Sequence, residues 1–168
     1  MIDLSMLTGS RLDRIERWTA MGTEDEFNSM LPRHREQVLF LDAASTRAAY
    51  ELEVRNRMVC GDAWGNDPFG EGCYREVERY VIPEEAAMKK WLYRRGLPFA
   101  AEVLLLPIFG ALDEPAVLTT WKIVVKYAGS IFSHDNLIVF GASVDWCLYY
   151  HHDDILYFAR GRNRQVPS

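Results

Sequence analysis

The stretch "LIVFGASVDWCLYYHHDDILYFAR", residues 137–160, decides the fold class. Its runs of Val, Ile, Leu, Tyr and Phe at 137–144, 145–151 and 155–160 predict three short strands in an antiparallel meander. If 146–151 pairs with 155–160, the connection is His152-Asp153-Asp154, short polar residues that suit a hairpin turn, with Asp tolerating a left-handed backbone. Strand alternation would then send His151 and His152 to opposite faces of the sheet. A wet hairpin tip therefore explains the "HHDD" quartet without chemistry. The alternative is a metal or acid–base site that draws on His134, Asp135, His151, His152, Asp153 and Asp154, with His34 as a more distant source. Such a site needs three or four convergent ligands, and the spacing does not announce them. His151, next to the turn, is the member placed to titrate near neutrality.

Upstream, the pattern is mostly helical. Leu12, Ile15 and Trp18 share helical spacing over 11–21, with Ser10 before them as an N-cap. Thr23 and Glu26 form a capping box that opens a helix carrying Phe27, Met30 and Leu31. Pro32 interrupts that helix or starts the next, which would carry Val38, Leu39 and Leu41. Residues 48–60 alternate like a strand, yet the Glu51–Arg55 and Glu53–Arg57 pairs favour helix. "IPEEAAMKKWLYRRG" is the clearest helix, with Pro83, Glu84 and Glu85 at its start and Gly96 at its end. "AEVLLLPIF" reads as a buried strand that Pro107 pushes to an edge or a bulge. A further helix is expected from Asp113 to Phe132. The sum is one α+β domain over 1–168, with helices mainly in the N-terminal half and a small antiparallel sheet formed mainly by the C-terminal third. Residues 160–168, with Arg160, Arg162 and Arg164, read as a flexible basic tail.

The chain of 168 residues is 49% hydrophobic and carries a net charge of −5, enough apolar material to offset chain entropy. The acidic balance argues against a nucleic-acid-binding domain, which needs a basic face. No signal peptide is evident, and 97–112 is too interrupted to span a bilayer, so a cytoplasmic protein is expected. Cys60, Cys73 and Cys147 show no C-x-x-C spacing and read as buried reduced thiols. Cys60 and Cys73 flank one loop and would pair only in an oxidising compartment.

That loop, "GDAWGNDPFGEG" at 61–72, offers Asp62, Trp64, Asp67, Phe69 and Glu71 as a partner-contact surface; the competing reading tucks Trp64 and Phe69 away as local core. It lacks the EF-hand order and any phosphate-cradling glycine motif. No nucleophile elbow occurs, and Cys147 lies mid-strand. No cofactor is implied.

The C-terminal motif of Asp145, Trp146, Leu148, Tyr150, His152, Asp154, Leu156 and Phe158 resembles the closing helix and hairpin of small bacterial families, among them toxin-immunity proteins of the SMI1/KNR4 type. "LPRHREQVLFL" at 31–41 echoes a segment of that type, without its aromatic. The resemblance implies a non-catalytic module that binds a protein such as a basic toxin, towards which an acidic surface would steer. A small metal-dependent hydrolase built on the His/Asp set is the competing expectation.

Overall fold

A computed structural model describes residues 3–12, 14–15, 19–62, 67–108, 114–133 and 135–163. Its strands are β1 (Gly9–Ser10), β2 (Leu39–Leu41), β3 (Tyr74–Val81), β4 (Glu102–Pro107), β5 (Val117–Thr120), β6 (Leu137–Gly141), β7 (Trp146–His151) and β8 (Ile155–Arg162). They form one sheet in the order β1-β2-β5-β4-β6-β7-β8-β3, and each neighbouring pair is antiparallel. The helices are α1 (Glu24–Ser29), α2 (Pro32–Arg35), α3 (Ala43–Asn56), α4 (Glu85–Tyr93), α5 (Trp121–Lys126) and α6 (Ala128–Ile131).

Successive residues of β4 explain the layering. Val103 and Leu105 belong to a core with Met88, Trp91 and Leu92 of α4, Trp121, Ile123 and Val124 of α5, and Phe27 of α1. Leu104 and Leu106 belong to a second core with Ala49 of α3 and Met58, Phe69 and Tyr74. Because side chains alternate across a strand, these two cores lie on opposite faces of the sheet. β6, β7 and β8 alternate between the same two clusters. Both faces are therefore covered, and the strands read as unbroken apolar runs rather than as half-polar ones.

The meander at 137–160 is present as expected, with Leu148 opposite Phe158 and His151 opposite Ile155 in the hairpin. Thr23 caps α1 through the reciprocal Glu26 box, and 43–56 is helix, as the ion-pair spacing favours. Gly96, at φ +68°, follows the end of α4 in the left-handed conformation that stops a helix.

Several expectations are corrected. Strands are spread along the chain instead of being concentrated in its last third, and helices continue to Ile131. Among the described residues of 11–21 there is no helix; Thr19 and Gly22 pair as an isolated bridge. The apolar run after Pro32 leaves the helix at Arg35 and becomes β2, because Leu39–Leu41 pairs with β1 and β5. Val117–Thr120 is likewise a strand, and helix begins only at Trp121. β4 sits inside the sheet, not at its edge, since Pro107 is the strand's last residue and costs no interior ladder bond. Arg160 and Arg162 lie in β8 rather than in a tail. Among the described residues no helix is long and apolar enough to cross a membrane.

Two-sided burial has a direct test. Leu104 and Leu105 are both fully buried, on opposite faces. Leu104→Ala and Leu105→Ala should each lower unfolding free energy by about 2–5 kcal/mol in urea titrations. A sheet with one solvated face would register only one of the two losses.

Candidate functional site

Among the described residues, chemistry-bearing side chains gather in a groove beside β3 and at the tip of the β7–β8 hairpin.

The groove arises because β3 is the last strand of the sheet and, among the described residues, pairs only with β8. α4 crosses its inner face through Trp91, whose ring stacks on Tyr80 with centroids 5.0 Å apart. The C-terminal end of that helix delivers Arg94 and Arg95 beside the strand, where cations favour the helix dipole. Arg75 and Arg160 add two more guanidinium groups to the lining, against Glu76 and Glu78. Phe158 floors the groove, which is open and encloses about 570 Å³.

Two of its cations, Arg95 and Arg160, are held against aromatic rings. Glu78 accepts from Trp91 Nε1 at 2.6 Å and from Arg95 Nη2 at 3.3 Å. Arg95 lies 4.2 Å over the Trp91 ring and 5.4 Å from that of Phe158, and Arg160 lies 5.3 Å from the same Phe158 ring. Arg160 also donates to the Arg95 carbonyl. Bonding to Arg95, then to Trp91, holds the Glu78 carboxyl below its ordinary range. Stacked, planar guanidiniums of this kind are suited to carboxylate or phosphate oxygens.

At the hairpin tip, Asp154 takes a φ of +58°, which closes the three-residue turn that begins at His152. Tyr150 Oη donates to Asp154 Oδ1 at 3.3 Å. The expectation that the two imidazoles face apart is overturned. His152 has left the strand, so alternation no longer governs it, and its ring stacks on His151 at 4.3 Å. Asp153 reaches both, with Oδ2 3.5 Å from His151 Nδ1 and Oδ1 3.7 Å from His152 Nε2. Asn136, 1% exposed, accepts at Oδ1 from the His152 backbone N–H at 2.7 Å and contacts its Nδ1 at 2.9 Å. His151 is buried, and burial, followed by the neighbouring His152, lowers its pKa.

The remaining sequence candidates are dispersed. Asp62, Asp67 and Glu71 are exposed at the loop, and Asp67 Oδ1 accepts from the Gly70 N–H at 3.1 Å. Phe69 is not a contact surface: it is 1% exposed and packs edge-on against Tyr74. Trp64 and His134 lie outside the described residues. Asp135 is exposed and joins Asn136 in lining a cavity of about 20 Å³, room for one water. His34 is buried with its Nδ1 2.6 Å from Tyr127 Oη, outside the tip cluster. Cys60 and Cys73 form a disulfide across the loop, which corrects the reading of reduced thiols. Cys147 is fully buried, and burial raises its pKa.

Sequence reasoning missed Asn136 and the whole arginine set. The run "YREVERYV" at 74–81, charged at four of its eight positions, announces no element by itself, and nothing local ties Arg94 to Arg160. No protein-family model matches the chain, and no curated protein matches it.

Two outcomes follow. Replacing Cys60 and Cys73 by Ser should lower stability by about 3 kcal/mol, the loop-closure value for roughly this span, measured by urea unfolding with and without reductant. His34, whose folded pKa is depressed by burial and then by Lys126, Arg33 and Lys122, resists protonation more than the unfolded chain does. Its contribution is therefore present above pH 6.5 and is lost as pH falls below that value. The fall in unfolding free energy from pH 7 to pH 5 should be shallower in His34→Gln, which keeps a partner for Tyr127.

Proposed function

We propose that this protein is a non-catalytic protein-binding module of the toxin-immunity or inhibitor kind, and that its arginine groove seats an acidic, extended segment of the partner. The single observation that carries this reading is the gathering of Arg75, Arg94, Arg95 and Arg160 in one groove beside an edge strand, in a chain of net charge −5.

Two further features support it. No described strand pairs along the outer edge of β3, so its backbone is placed to accept an added strand. The sequence of that strand disfavours a second copy of the same chain. Arg75-Glu76-Val77-Glu78-Arg79 is a palindrome. In two-fold antiparallel pairing centred on Val77, Arg75 would oppose Arg79 and Glu76 would oppose Glu78. Shifting the centre to Glu76 or Glu78 sets that glutamate against itself. Like charges directly opposite are destabilising. An acidic segment from another protein would meet Arg75, Arg94 and Arg160 in the groove, provided its carboxylates fall out of register with Glu76 and Glu78 of the same lining. The overall negative charge would steer a basic partner, such as a basic toxin, towards the chain, and the groove would fix the register once they meet. The groove's described lining holds no Ser, Thr or Cys to act as a nucleophile.

The test uses a synthetic extended peptide that alternates Glu with Val, with Trp91 fluorescence as the readout. We expect saturable binding that weakens with salt and drops about ten-fold or more in Arg75→Glu/Arg94→Glu. Both residues are exposed, so the variant should retain the wild-type fold by circular dichroism. Absence of binding, or binding indifferent to the charge reversal, would overturn the assignment of the groove. Turnover of a small substrate by the purified chain would overturn the module reading itself.

A further inference from the structure

We infer that the hairpin tip is a transition-metal site in which His151, His152 and Asp153 supply the ligands. One ligand atom from each of these consecutive residues falls within 4.8 Å of the others. The carboxylate oxygens stand 3.5 and 3.7 Å from the two imidazole nitrogens they face. Ligands about 2.0–2.2 Å from one ion lie roughly this far from one another, so little movement is needed to close around it.

The tautomer of His152 is the decisive detail. Its backbone N–H donates to Asn136 Oδ1, which fixes the amide with its oxygen towards the histidine. That oxygen only accepts, so Nδ1, 2.9 Å away, carries the proton and donates to it. The lone pair is left on Nε2, the nitrogen that faces Asp153. An outer carbonyl that holds the distal N–H of a histidine is the usual support of a metal-bound imidazole. Asn136 is buried immediately before β6, so it is a fixed support. A plain hairpin turn requires no such arrangement.

The other groups at the tip define the site's limits. Asp154 is engaged by Tyr150 Oη at 3.3 Å and falls outside the cluster. His151 Nδ1 receives only a long bond, 3.3 Å, from the Asp153 N–H, which an ion would displace at small cost. His152 and Asp153 are exposed while His151 is buried, so an ion can enter from solvent and would keep water in its remaining positions. Two imidazoles and one carboxylate select zinc, iron(II) or their first-row neighbours over magnesium and calcium, which take oxygen ligands.

The experiment is calorimetric titration of Zn²⁺ into the untagged, chelator-treated full chain, with Co²⁺ absorption as a second readout. One ion per chain should bind, with affinity lowered about ten-fold or more in both His152→Gln and Asp153→Asn. Both substitutions fall in the exposed turn, and unchanged circular dichroism will show that the fold is retained. Absence of saturable Zn²⁺ binding, or binding at undiminished affinity in either variant, would overturn the site.

Discussion

The constraint on which the rest of the structure depends is that β4 is apolar on both of its faces. Val103, Leu104, Leu105 and Leu106 are all fully buried, and consecutive residues of a strand point in opposite directions. Each fully buried leucine is worth about 1.5–3 kcal/mol over an exposed one, so leaving either face wet would forfeit several such terms. The chain must therefore supply two covering layers. It does so with α1, α4, α5 and α6 on one side and with α3 and the segment carrying Met58, Phe69 and Tyr74 on the other. The second cover is less helical, and the Cys60–Cys73 disulfide fastens the loop that holds Phe69 in it.

The legibility of the fold follows from this arrangement. The meander was readable because β6, β7 and β8 are neighbours in sequence and in the sheet, so the pattern and the pairing coincide. β2 and β5 were not. Each is a short apolar stretch next to a helix, and at that length helical and strand periodicity are indistinguishable. Their state is set by partners far along the chain, Leu39 against Leu118 and Leu104 against Leu118. β3 was invisible for the opposite reason: as an edge strand with charged residues at four of its eight positions, it has too little apolar signal. Pro107 misled because proline is barred from strand interiors and yet is allowed at a strand's end.

The candidate sites divide in the same way. The turn at 152–154 was legible in composition, since Asp at a left-handed position is what a three-residue connection requires. The convergence of its side chains was not legible. Period-two alternation holds only while a residue stays in the ladder, and His152 is the first residue outside it. Once free, it folds back over His151 and is held by Asn136, sixteen residues earlier in sequence. The arginine groove is wholly a product of topology. Arg75 and Arg160 come from two paired strands and Arg94 and Arg95 from a helix end, three segments that only the β3–β8 pairing brings together.

Net charge and local charge therefore carry different information here. A chain at −5 reads as acidic at long range, where individual positions are averaged. Within the groove the same chain sets four arginines against two glutamates, and one of those glutamates, Glu78, is occupied in holding Arg95 against Trp91. Part of the local excess is thus oriented as well as positive, because Arg95 and Arg160, stacked on Trp91 and Phe158, have given up rotational freedom. The palindrome in β3 acts on the same edge in the opposite sense, setting like charges opposite each other when two copies of this chain approach. The charges of this edge thus work against its pairing with a second copy, the protection that an exposed edge strand requires.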